Sequence, residues 1–225
     1  RWRLRGRRRR RRRRALGLCR RGPSVIRPAR RGTPSELVVV GLGNPGSRYE
    51  GTRHNVGADA VALLAERAGD RLRPSKDEAL VSESRLVGHR VLLAFPTTYM
   101  NESGRSVVRL WRRGGQDDPT RLVIVHDELD LPPGRVKVKV GGGLAGHNGL
   151  RSVEAHLHTR DFTRVRIGVG KPPGGKERGV GHVLSRVSGA TKELLAVAVA
   201  EAADAVELIL TDGVDAAMAR VNARS

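Results

Sequence analysis

Leu37-Val38-Val39-Val40-Gly41-Leu42-Gly43-Asn44-Pro45-Gly46, followed by Ser47-Arg48-Tyr49-Glu50-Gly51-Thr52-Arg53-His54-Asn55, is the stretch on which the fold turns. A short apolar run rich in β-branched residues reads as a buried strand. It stops at glycines and then presents Asn44 and His54. Its first six residues after the strand also spell G-x-G-x-x-G, the dinucleotide fingerprint.

The two readings differ in where the next helix begins. A dinucleotide turn needs the helix to start inside the glycine motif, so that its N-terminus meets the pyrophosphate. Pro45 disfavours the helical conformation at Asn44, and Tyr49-Glu50-Gly51-Thr52 keeps the chain irregular until near Asn55. The acid that grips the ribose, about 20 residues on, would be Asp59, inside a helix rather than at a strand end. The stretch therefore reads as the rim of a different kind of site, or as glycines that only turn the chain.

Working outward, strands are expected over 36–40, 80–86, 89–96, 122–126, 135–140 and 163–169. The second and third form a hairpin turning at Val87-Gly88. Helices are expected over 55–68, 101–113, 148–156, 191–210 and 214–222 from apolar spacing and closing glycines. This alternation predicts an α/β fold, a single twisted mixed sheet, largely parallel, with helices on both faces. No internal repeat or interdomain linker is present.

The formal net charge of +20 misleads, because residues 1–35 hold 16 arginines and no acid. Removing them leaves +4 for residues 36–225. The first segment reads as a disordered extension translated from a mis-assigned start, or else as an arm that binds nucleic acid non-specifically. The folded domain is expected over 36–225. The single cysteine, Cys19, allows no disulfide framework and fits a reducing, cytoplasmic compartment. No apolar stretch approaches the roughly 18 residues of a membrane span. No exposed apolar seam is evident, so monomer is the default state.

Two residues at strand ends form a sensible pair. His54 stands at a helix start behind the first strand, and Asp127 ends the run Val123-Ile124-Val125-His126. A carboxylate that accepts from one imidazole nitrogen leaves the other free to take a proton. No G-x-S-x-G elbow, H-E-x-x-H or cysteine-rich metal spacing occurs, so water is the expected attacking species. Asn44, Asn101 and Asn148 sit at comparable places, where an uncharged amide suits amide recognition and oxyanion stabilisation. Asparagine beside glycine is also ordinary turn chemistry. Lys137 with Lys139, and Arg164 with Arg166, each share one strand face. That face reads either as a phosphate clamp or as a solvated surface.

With these residues in view the chain resembles bacterial-type peptidyl-tRNA hydrolases. The matching segments are GLGNPGSRYEGTRHNVG (41–57), PTTYMNESG (96–104), HDELDLPPGRVKVKVGGG (126–143), GHNGL (146–150) and FTRVRIGVGKP (162–172). The resemblance implies cleavage of the ester between a peptide and its tRNA. It implies His54 as general base on water, Asp127 as the acid that orients it, and Asn101 as the oxyanion partner. Asn44, Met100, Asn101 and Asn148 match the positions that bind the peptide and the tRNA 3′ end. Tyr49 borders the site. Lys137 and Arg166 match the pair that meets the tRNA 5′-phosphate, with Lys139 and Arg164 beside them. No metal or organic cofactor is implied. Discrimination against aminoacyl-tRNA falls to Asn44 and Asn148, because a free α-ammonium cannot satisfy groups built for a peptide amide. The chain departs from the pattern at Leu144, often polar in the family, and at His182, usually aromatic. His147 and His182 carry no assigned role. The competing readings are an RNA-binding protein without hydrolysis and a nucleotide-dependent oxidoreductase, opposed respectively by the His54–Asp127 pair and by the late helix start.

Overall fold

Alternation along β1 (Leu37–Gly41) sets up two helical layers. Leu37 and Val39 join one buried cluster, Val38 and Val40 the other. The computed structural model describes residues 33–172 and 179–223. The expected arginine-rich extension lies, over 1–32, outside the described residues.

Seven strands form one sheet in the order β2-β3-β4-β1-β5-β7-β6. These are β2 (Arg73–Ser75), β3 (Ala79–Leu86), β4 (His89–Pro96), β5 (Leu122–Glu128), β6 (Val136–Val140) and β7 (Thr163–Gly168). The four central strands, β4, β1, β5 and β7, run parallel. The outer pairings, β2 with β3, β3 with β4 and β6 with β7, are antiparallel. The α/β class with a single mixed sheet is as expected.

One face is covered by α1 (Val56–Arg67), α5 (Gly189–Asp212) and α6 (Val214–Ala223). Val123, Val125, Val165 and Ile167 point into this layer. The other face is covered by α2 (Ser103–Gly114) and α3 (Asn148–Leu157), against Leu92, Ala94, Leu122 and Ile124. The parallel strands are buried on both sides, as such strands must be. Asn222 on α6 closes the free edge of β6. Its Oδ1 accepts from the Val138 N–H and its Nδ2 donates to the Val138 carbonyl, each at 2.9 Å, in place of a further strand.

Three local features differ from expectation. A 3-10 turn, Met100–Glu102, precedes α2, so Asn101 stands ahead of that helix rather than inside it. β2 was not expected, because Pro74 removes a ladder donor; an edge strand tolerates that. A five-residue helix, α4 (Gly179–Val183), is too short and glycine-bearing to show a periodicity.

The layer below β1 and β5 is fixed by a close approach of backbones. A Cβ at Gly57 would stand 2.3 Å from the Val125 carbonyl oxygen, and one at Gly41 would stand 2.1 Å from that of Gly57. Both obstacles are main chain and cannot swing aside. Gly57→Ala is therefore expected to lower stability by about 1–3 kcal/mol, as overpacking does. Denaturant unfolding measures it; an unchanged midpoint would refute the close packing.

Candidate active site

The site lies at the C-terminal ends of the parallel strands, where open α/β sheets place ligand groups. Past β1 the chain stays buried through Asn44. Asn55 clamps it: its Nδ2 donates to the Asn44 carbonyl and its Oδ1 accepts from the Asn44 N–H, both at 2.9 Å. The Asn44 side-chain oxygen accepts from the Met100 N–H at 2.9 Å. That bond fixes which end of the amide is spoken for, leaving Nδ2 as the end available to a substrate carbonyl. Met100 is buried, and a Cβ at Gly149 would stand 2.5 Å from its sulfur. Met100 thus joins the turn that carries Asn101 to the start of α3 that carries Asn148. Asn101 and Asn148 are exposed; Tyr49 is half-buried in the loop leading to His54.

His54 sits in a 3-10 turn, Arg53–Asn55, immediately before α1. Its Nδ1 lies 2.7 Å from Asp127 Oδ1, with the two side chains 12% and 3% exposed. A carboxylate accepts, so Nδ1 carries the proton and Nε2 is the basic nitrogen. The loop ahead of His54 is stitched to the segment after α4. Arg53 Nη1 donates to Ser185 Oγ at 2.7 Å, and Thr52 bridges Arg186 as in an antiparallel ladder. The Val187 N–H donates to the Gly51 carbonyl at 3.0 Å, and Arg186 Nη2 to that of Ser47 at 2.9 Å.

Asp127 has a second imidazole partner. His147 Nε2 lies 3.0 Å from the same Oδ1. The N-cap of α3 is His147 itself, whose Nδ1 accepts from the backbone N–H groups of Gly149 (3.1 Å) and Leu150 (3.3 Å). Burial alone would raise the Asp127 carboxyl. Attraction to His54 and His147 and their hydrogen bonds outweigh it and hold the group well below the usual carboxylate range. The neighbouring His126 is fully buried, and burial first, then repulsion from His147, pushes its imidazole well below its ordinary value. Its Nδ1 donates to the Asp127 carbonyl at 2.7 Å.

His54, Asp127 and His147 present three ligand-type atoms within 4.8 Å of one another. A cation would need the Nε2 lone pair of His147. That nitrogen carries the proton, because Nδ1 is the acceptor for the helix cap. The donor set is therefore built for hydrogen bonds and not for a metal.

The basic residues share one face. Lys137 pairs with Arg166 across β6 and β7, and Lys139 with Arg164. Their surroundings differ. Arg166 donates from Nε and Nη2 to Glu128 Oε2, both at 3.0 Å. Arg164 is 2% exposed, and its Nη1 donates to the Gly143 carbonyl at 2.8 Å. Lys139 is exposed and Lys137 half-buried, and neither has an ion-pair partner among the described residues. The Lys137–Arg166 row is one residue from the Asp127 row. The Lys139–Arg164 row lies about 10 Å along the strands from Asp127.

Sequence reasoning missed Asn55 and His147 as site residues. The signal for His147 was Gly146-His147-Asn148-Gly149 at a helix start, where the residue before the helix caps it. Leu144 packs on the cluster beneath α2 and α3. His182, on α4, places Nε2 3.4 Å from the Val169 carbonyl.

Known proteins match this chain over nearly all of its described part. The family model described as peptidyl-tRNA hydrolase matches residues 38–225. A peptidyl-tRNA hydrolase of Cutibacterium acnes is 48% identical over 201 residues, covering 84% of this chain and 99% of that protein. One of Nocardia farcinica is 51% identical over 181 residues, covering 80% and 93%. The crystal structure of the Acinetobacter baumannii peptidyl-tRNA hydrolase superposes with a TM-score of 0.78 at 42% identity, covering 85% of this chain and 97% of that one. A histidine–carboxylate pair on a mixed α/β sheet, matched over this length at this identity, places the chain in the peptidyl-tRNA hydrolase family.

Proposed function

We propose that His54 and Asp127 carry out the hydrolysis by which this enzyme frees tRNA from its peptide. The 2.7 Å contact between His54 Nδ1 and Asp127 Oδ1 carries the reading. It directs the Nδ1 proton to the carboxylate and leaves Nε2 to take a proton from water. The hydroxide attacks the ester carbonyl, and the Asn101 amide donates to the oxyanion that forms. Collapse of the tetrahedral intermediate expels the ribose oxygen, which takes its proton back from the His54 imidazolium. An ester is an activated acyl group, so a water nucleophile suffices.

Asn148 and the free Nδ2 of Asn44 bind the peptide amides, with Met100 and Tyr49 as apolar walls. This selects peptidyl- over aminoacyl-tRNA. Lys137 and Arg166 hold the tRNA 5′-phosphate. Lys139 extends the same face, and Arg164, from beneath, supports the Gly141–Gly143 loop. Glu128 already neutralises much of Arg166, so the two lysines supply most of the free positive charge. The enzyme works as a cytoplasmic monomer over 36–225. No described helix is long and apolar enough to cross a membrane.

Release of free tRNA from an N-blocked aminoacyl-tRNA tests the chemistry. The wild type is expected to release it, and His54→Ala to lose about 10²–10⁴ in kcat. Undiminished release by the variant removes His54 as the base. Asn148→Ala is expected to raise KM roughly tenfold, the loss of about 1.4 kcal/mol of binding, with the fold intact. An unchanged KM counts against its role. Lys139→Ala is expected to weaken tRNA binding and reduce the salt slope by about one. A binding isotherm with the wild-type slope would remove it from the clamp.

A further inference from the structure

The least explained group at this site is the second imidazole on Asp127. One carboxylate oxygen accepts from both His54 Nδ1 (2.7 Å) and His147 Nε2 (3.0 Å). The two rings lie 5.1 Å apart, centroid to centroid, and the His126 ring meets that of His147 at 5.0 Å, edge to face. His147 cannot turn its lone pair to Asp127 without giving up two backbone N–H groups at the start of α3. Its role as a donor is thus written into the helix cap.

We propose that His147 is a positioning residue that sets the lower pH limit of catalysis by sharing Asp127 Oδ1 with His54. This rests on the assignment of His54 as base. A carboxylate with a single N–H partner gives its whole charge to that partner's imidazolium. Here a second donor draws on the same oxygen, so the charge that Asp127 offers to His54 is divided between two partners. His147 also stops the carboxylate from rotating, which keeps His54 in one orientation. The titratable groups that face His147 are Asp127 and His126 on β5 and His54 ahead of α1; Arg164 on β7 adds positive charge near His126. His126 stays neutral by burial, and Arg164 is anchored to Gly143, so neither substitutes for the His147 donor.

The two nitrogens of His147 can be replaced one at a time. Asparagine places its side-chain oxygen near the position of Nδ1 and is a good N-cap, but it does not reach Asp127. Glutamine places an amide N–H near the position of Nε2 and loses the cap. The experiment is the pH profile of kcat/KM on an N-blocked aminoacyl-tRNA for the full-length wild type, His147→Asn and His147→Gln, with thermal unfolding of each. His147→Asn is expected to melt close to the wild type, with its acid limb moved upward by roughly half a pH unit or more. His147→Gln is expected to melt lower and to keep its acid limb near the wild-type position. A purely structural role predicts loss of stability without movement of the limb. A wild-type limb that His147→Asn leaves in place, or that His147→Gln moves equally far, overturns the proposal alone. A wild type with no acid limb overturns it together with the His54 assignment.

Discussion

A buried carboxylate at the end of the central strand β5 organises this protein. Asp127 is 3% exposed, and an ionised group removed from water is costly unless it is met by donors. The donors come from both layers of the fold. His54 arrives from the start of α1 on one face, and His147 from the start of α3 on the other. The strand, the two helix starts and the loops before them are therefore held by one atom, Oδ1. The stabilisation that keeps the carboxylate ionised is the same interaction that orients the His54 imidazole.

Much of the architecture was legible in the sequence because it rests on short-range pattern. The Val38–Val40 run, the hairpin of β3 and β4, and the long α5 all follow from apolar periodicity and turn residues. The hairpin turn was found although Val87 adopts a left-handed φ of 44° that a β-branched residue disfavours. What was not legible depends on contacts between distant segments. Asn101 reads as the first residue of a helix, yet the Asn44–Met100 bond holds a 3-10 turn there first. β2 exists because β3 offers an edge, against the local preference of Pro74.

The candidate site shows the same division. Asp127 is readable as a strand-end residue and His54 as a helix-start residue behind the first strand, because the placement of ligand groups in α/β sheets is general. Asn55 is not readable. Nothing in a helix-start asparagine says that it holds Asn44 by both of its main-chain groups. His147 hides behind its neighbour Asn148, whose amide is the more obvious functional group. The four basic residues look equivalent in sequence, and the register makes them two pairs. Burial then separates them: Arg164 serves the glycine loop, Arg166 is shared with Glu128, and the lysines remain open.

The stitching of residues 47–53 to residues 185–187 has a bearing on how the protein is made. Both members of the histidine–carboxylate pair lie in the first 127 residues. The loop that presents His54 is nevertheless completed by Ser185, Arg186 and Val187, which contribute no reacting group. A ribosome building this chain carries it throughout as a peptide esterified to tRNA, the bond the finished enzyme cleaves. Between the addition of residue 127 and that of residue 187 the nascent chain has its histidine–carboxylate pair but not the segment that holds the His54 loop in place.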